Sequence, residues 1–280
     1  MKRRAFILGL LFLMPSLLSP QPSDFPKLTG PCLGQKPPGR VPEIFAPGVI
    51  SFPETKEFAC AFSPDGKEFY FTSVKTTQRI MYSKMEEGGW SRPRPAEFSE
   101  GFFAHEPHVT FDNRWIFWWW ANKNNPGIYY AERIQTGWSE AKYAGPGHFI
   151  SSSRDGNFYV GAPRAESWSR VTLTDGRFVE YEELPDLIKY LRPRYDRIWH
   201  PCIAPDGSYL IFDVEGGSHM FVSFNENDGT WSEPTDLTEH GFSRDDGITS
   251  ISPDGKYLFF DRDKDIYWVE AKVIEELRPK

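Results

Sequence analysis

The sequence predicts an all-β fold, a ring of five four-stranded antiparallel blades, and three observations carry that prediction. The first is an internal repeat. Phe58-Ala-Cys-Ala-Phe-Ser-Pro-Asp65-Gly66-Lys-Glu-Phe-Tyr-Phe-Thr72 reads as a strand, an Asp-Gly turn and a second strand. The pattern returns around Asp206-Gly207 and Asp254-Gly255, and in degenerate form around Asp112-Asn113 and Asp155-Gly156. The second observation is the spacing of these aspartates, 47, 43, 51 and 48 residues, which is the length of one four-stranded propeller blade. The third is composition: 16% aromatic residues with 23 Gly and 24 Pro favour short strands joined by tight turns over a helical bundle.

Each element follows in chain order. Lys2, Arg3 and Arg4 precede an apolar run from Ala5 to Leu18, too short to span a bilayer and suited to a signal-peptide core. Residues 1–22 are therefore expected to be a signal peptide, with cleavage near Ser19–Ser23, and 23–40 an extended leader. Removing the three basic residues takes the formal charge from −7 to about −10. Cys32 is preceded by Leu28-Thr29-Gly30-Pro31, and proline directly before the cysteine argues against lipidation. Three cysteines form no disulfide framework, and Cys60 and Cys202 read as small buried hydrophobes.

The propeller is assigned to 41–280, with blades near 52–101, 102–146, 147–196, 197–243, and 244–280 completed by 41–50. Within a blade the first strand precedes the Asp-Gly turn and the second is the aromatic run after it. The third is Ile80–Tyr82, Ile128–Tyr130 or Met220–Val222, and the fourth follows a Trp-Ser corner at Trp90-Ser91, Trp138-Ser139 or Trp231-Ser232. Trp168-Ser169 lies at another offset and is not equivalent. The last blade lacks a fourth strand. Pro42-Glu-Ile-Phe-Ala-Pro-Gly48 resembles Pro95-Ala-Glu-Phe-Ser-Glu-Gly101, so the N-terminal segment is expected to supply that strand and close the ring.

Other features read as structural. Trp118-Trp119-Trp120 is expected to be a fully buried second strand, and Asp261-Arg-Asp263-Lys-Asp265 a solvated turn lacking the glycine and distal Glu of a calcium loop. Asn227-Asp-Gly-Thr-Trp231 matches part of the sialidase Asp-box, itself a structural turn. Leu184, Leu187, Ile188 and Leu191 at helical spacing predict a short helix within Glu180–Arg194, a candidate lid over the channel mouth.

The Ser-Pro-Asp-Gly-Lys copies and their aromatic strands resemble the WD40-like β-propeller repeat of TolB-type exported bacterial proteins. Leu33-Gly-Gln-Lys-Pro-Pro-Gly39 and Pro42–Gly48 are similar to the leader of small single-domain members, so the resemblance covers about residues 33–280. It implies the fold and an exported, periplasmic or extracellular location. TolB itself carries an extra N-terminal domain and binds protein partners of the cell envelope. This chain is expected to have no room for that domain, so those partners do not transfer.

Chemistry on a propeller concentrates at the mouth of the central channel, where each innermost strand starts. Aligning the repeats on their turns places Glu57, His105, Glu106, His148, Trp199, His200, Asp245 and Asp246 there. Either these residues line a water-filled channel, or they converge on a ligand. The expected ligand-binding set is His105, Glu106, His148, Trp199, His200 and Asp246. If the chain is an enzyme, Glu57, Glu106, Asp245 and Asp246 are its candidate carboxylates for glycosidase or lyase chemistry. No cofactor is expected. His105-Glu-Pro-His108 is not a zincin motif, and no metal set is assigned, although imidazoles and carboxylates can hold a divalent ion. The net negative charge and the lack of a basic run outside the N-terminus argue against nucleic acid. The expected function is a monomeric binding or scaffold module taking a small polar ligand or a protein partner.

Overall fold

The computed structural model describes residues 25–75, 77–99, 103–191, 194–214, 216, 218–226 and 230–280. The expected signal peptide, 1–22, and residues 227–229 of the partial Asp-box match lie outside these residues.

Five antiparallel sheets follow one another along the chain. Blade one is built on Lys56–Phe62, Glu68–Val74 and Gln78–Glu86, with Arg94–Pro95 on its outer edge. Blade two uses Ala104–Val109, Trp115–Trp120, Gly127–Ile134 and Lys142–Gly145. Blade three uses His148–Ser152, Phe158–Gly161, Trp168–Thr174 and Arg177–Glu183. Blade four uses Ile198–Ile203, Tyr209–Val214, Ser218–Phe224 and Thr235–Asp236. Blade five uses Gly247–Ile251, Tyr257–Arg262 and Asp265–Glu270, and its outer strand is Glu43–Ile44 from the N-terminal end. Each innermost strand contacts those of the blades on either side, blade five against blade one included, so the ring is closed.

Local chemistry explains the repeat. Asp65 Oδ1 accepts from the Ser63 hydroxyl at 2.6 Å and from the Lys67 amide at 3.1 Å, and Gly66 takes φ +68° where a side chain would be strained. Asp112 and Asp254 repeat the arrangement with Thr110 and Ser252. Blade two has Asn113 in the left-handed position, which asparagine tolerates. In blade four Ala204 replaces the hydroxyl residue, and Asp206 bonds the Ser208 amide at 3.0 Å. The Trp-Ser corners work by a reciprocal clamp. Ser91, Ser139 and Ser232 each accept from a third-strand amide (Lys84, Glu132, Phe224) at 2.9–3.1 Å and donate their own amide to the same residue's carbonyl.

The core is five interblade clusters, and this is where the aromatic residues go. Phe45 sits in the closing seam, fully buried against Phe62 and Phe69 of blade one and Phe259 and Trp268 of blade five, with centroids 5.0–6.2 Å apart. The leader docks on blade one, where the Trp90 indole donates to the Gly30 carbonyl at 2.8 Å. Of the three consecutive tryptophans only Trp118 is fully buried, because the strand reaches the channel mouth at Trp119 and Trp120. The predicted helix forms at Pro185–Leu191, and Leu187 and Leu191 anchor it in the seam between blades three and four.

Candidate functional site

The residue six places before each turn aspartate is Ala59, Glu106, Phe149, His200 or Ile248. All five have positive φ, between 43° and 61°, and each innermost strand shifts register there. Such a conformation in a non-glycine residue costs on the order of 1 kcal/mol or more, and its recurrence in every blade makes it part of the architecture. The bulge turns consecutive residues toward the axis that strict alternation would send to opposite faces.

Side chains consequently meet across the ring. His200 Nε2 lies 3.3 Å from Glu106 Oε1, although blades two and four are not neighbours. The other His200 nitrogen, Nδ1, lies 2.8–2.9 Å from both Asp213 oxygens, and His105 Nδ1 approaches Glu106 Oε1 at 3.1 Å. The result is a polar chain Asp213–His200–Glu106–His105. Burial by itself would depress His200, but Asp213 and then Glu106 outweigh it and leave the imidazole pushed up to about 10. Burial would likewise raise Glu106, and the neighbouring His105 and His200 hold it well below the usual carboxylate range. His200 is thus an imidazolium between two carboxylates.

His148 closes the third side. Its Nδ1 sits 2.5 Å from the Ala162 carbonyl and must carry the proton, which leaves Nε2 as an acceptor. Burial depresses this histidine to about 4, so it is neutral. Trp199 packs at 4.8 Å from the His148 ring and 5.8 Å from His200, and Trp119 at 4.7 Å from His105. The structure therefore brings together His105, Glu106, His148, Trp199 and His200.

The remaining predicted residues sit apart from this chain. Asp246 is fully buried in a bidentate pair with Arg262, at 2.6 and 2.7 Å, and accepts the Ser243 amide. Asp245 is exposed. Glu57 accepts the Ser73 hydroxyl at 2.9 Å and the Phe52 amide at 3.4 Å. Burial raises its carboxyl above the ordinary value.

Two carboxylates of the site escaped the sequence reading. Asp213 and Asp261 are the next-to-last residues of second strands that read as aromatic core. They share an offset with Thr72, seven residues after the turn aspartate, and that recurrence was the available signal. The offset has a purpose: Thr72 Oγ1 accepts the Glu106 amide and Asp213 Oδ2 the Ile248 amide, both at 3.0 Å, so each serves the next blade's bulge. Asp261, expected in a solvated turn, is buried, with Lys56 Nζ at 3.9 Å. Burial pushes it up to about 8, Lys56 opposing and Asp213 adding to the shift.

Below the ring lies a cavity of about 50 Å³ lined by residues including Cys60, His108, Ser152 and Cys202, room for one or two waters. All three cysteines are free, and Cys60 and Cys202 are buried. Arg154 ties the turn of blade three to those of blades four and five. Its amide donates to Pro205 and its guanidinium reaches the Pro253 carbonyl at 2.6 Å. Among the described residues no group of three or more His, Cys, Asp or Glu is arranged to hold a metal ion.

The solved structure of TolB from Acinetobacter baumannii matches with a TM-score of 0.50 at 16% identity, over 78% of this chain and 52% of that one. The fold is that of a TolB-like β-propeller. This chain spans about half the length of that TolB structure. A protein from Agrobacterium tumefaciens provisionally named TolB matches at 17% identity and a TM-score of 0.47, covering 73% and 69% of the two chains. A structure provisionally named a gluconolactonase matches at 11% identity and a TM-score of 0.47, covering 84% and 93%. No protein-family model matches the sequence, and neither does any curated protein. No helix among the described residues of the TolB-like propeller is long and apolar enough to cross a membrane.

Proposed function

We propose that the chain is an exported binding module whose channel mouth takes a hydrogen-bond-donating group of a small polar ligand or a protein partner. One observation carries this reading. Glu106 Oε2 and His148 Nε2 are buried acceptors with no hydrogen-bond partner among the described residues. A buried polar atom left unpaired costs about 1–3 kcal/mol, so two acceptors at one mouth favour a donor supplied from outside. The half-buried rings of His105 and Trp199 offer that group an amphipathic entrance. Amines and hydroxyls fit such acceptors; anions do not.

Glycoside cleavage is less well supported. It needs two carboxyl groups roughly 5–9.5 Å apart on either side of the scissile bond, whereas Glu57 and Asp246 are each engaged by their own partners away from Glu106. Export is supported by the basic start and apolar run of the first 22 residues. The short two-residue outer strands in three of the blades leave little edge for pairing between copies, which favours a monomer.

A thermal-shift screen of amines, oligosaccharides and lysine-bearing peptides tests the site. A true ligand raises the Tm of the wild type but not of Glu106→Gln. Equal shifts for both proteins, or none across the panel, would leave the acceptors to structural water and overturn the proposal. Cell fractionation tests export: the full chain should leave the cytoplasm as a shortened species, and a chain lacking residues 1–22 should stay inside.

A further inference from the structure

A second concave site runs along blade one, a groove of about 610 Å³. That volume falls within the roughly 300–1,000 Å³ of small-molecule sites. Its floor is apolar, made by Val49 and Ile50 after the closing strand and by Phe71 and Met81 of blade one. Phe25 and the exposed Phe52 flank it.

The charged residues of the groove are Lys75, Arg79, Arg92, Glu54 and Glu57. Glu57 is turned into the protein and bound by Ser73 and Phe52, and Glu54 is exposed. The three cations have no carboxylate partner among the described residues. Arg79 donates to Thr77 Oγ1 at 2.9 Å, and Arg92 lies 5.3 Å over the Phe25 ring. Elsewhere on this acidic chain Arg133, Arg170, Arg262 and Lys142 are paired with acids. An apolar trough edged by unpaired cations complements a molecule with one anionic end and one long apolar tail.

We propose that the groove binds a free single-chain carboxylate amphiphile, its head at Lys75 and Arg79 and its chain over Met81 between Phe25 and Phe52, above the buried floor. Lys75 and Arg79 flank the connection between the second and third strands of blade one, which places two positive charges at one end of the trough. The chain supplies affinity, because each methylene buried strengthens binding about fourfold. The cations select the sign of the head.

Isothermal titration with dodecanoate below its micellar concentration, beside hexanoate and dodecyltrimethylammonium, tests this. Dodecanoate should bind one to one, hexanoate far more weakly, and the ammonium amphiphile more weakly than dodecanoate. Lys75→Glu/Arg79→Glu, at exposed positions and checked for unchanged Tm, should weaken dodecanoate about tenfold or more. No heat with dodecanoate, equal binding of the two head groups, or an affinity indifferent to the double substitution would each overturn the proposal.

Discussion

Replacing His200 by alanine tests the polar chain most directly. The substitution leaves Glu106 and Asp213 buried, at 5% and 1% exposure, without the cation between them. Breaking a buried ion pair by removing one partner costs about 3–5 kcal/mol, because the other charge remains desolvated. The backbone at 200 stays in its left-handed conformation in both proteins, so strain cancels from the comparison. For a domain of this size the loss corresponds to a fall in Tm of roughly 6–20 °C. The pH dependence has a definite sign. His200 is raised from 6.5 to about 10 in the fold, so its contribution is fully present below about 6.5 and disappears as pH rises through 10. Urea denaturation of wild type and His200→Ala at neutral pH and near pH 10 reads this directly, and the gap should narrow at the higher value. A cycle with Asp213→Asn should show coupling of about 1–3 kcal/mol, since asparagine keeps an acceptor for the Ile248 amide but no longer needs a cation. A loss below about 1 kcal/mol, or additive single effects, would refute the imidazolium assignment.

Three further outcomes are expected. Phe45→Ala should cost about 3–5 kcal/mol by urea denaturation, because the ring seals blade five against blade one, and a near-neutral result would mean that Glu43–Ile44 is not the clasp. Stability should fall as pH drops from 6.5 to 4, because the unfolded chain protonates His108 and His148 there while the fold keeps both neutral down to about 4; each accounts for on the order of 3 kcal/mol, and a flat acid profile contradicts it. Asp261→Asn should gain at least about 1 kcal/mol over the wild type between pH 5 and 8. Asp261, raised from 3.8 to about 8, contributes fully only below about pH 4 and loses that contribution progressively as pH rises to 8, whereas asparagine does not titrate. Parallel stability curves for the two proteins would count against this.

The blades were legible because each is announced by local chemistry. An aspartate that bonds its own turn, a serine that clamps a third strand and an aromatic run long enough for one strand are written in consecutive residues. The closing strand was legible through its likeness to Pro95–Gly101, although only Glu43 and Ile44 pair in the ladder. The mouth was harder. Alternation predicts that His105 and Glu106, or Trp199 and His200, face opposite sides of a strand, and the bulge cancels that rule at the positions that matter. Asp246 and Asp245 followed the alignment to the mouth, but both precede the innermost strand, which starts at Gly247, and a guanidinium sixteen residues further along the chain, Arg262, occupies Asp246 in a bidentate pair. Asp213 and Asp261 were hidden because a carboxylate next to the end of an aromatic strand looks like the polar edge of a core element.

The five left-handed positions carry alanine, glutamate, phenylalanine, histidine and isoleucine on nearly the same backbone. Main-chain geometry that is indifferent to side-chain class lets the ring keep its shape while its side chains change, at a stability cost only where, as at His200, a buried charge loses its partner. Substitutions there exchange the groups displayed on the axis while the turns and interblade seams that hold the ring remain untouched. The innermost ring is in that sense a set of five interchangeable sockets, and a different complement of side chains would turn the same scaffold toward a different ligand.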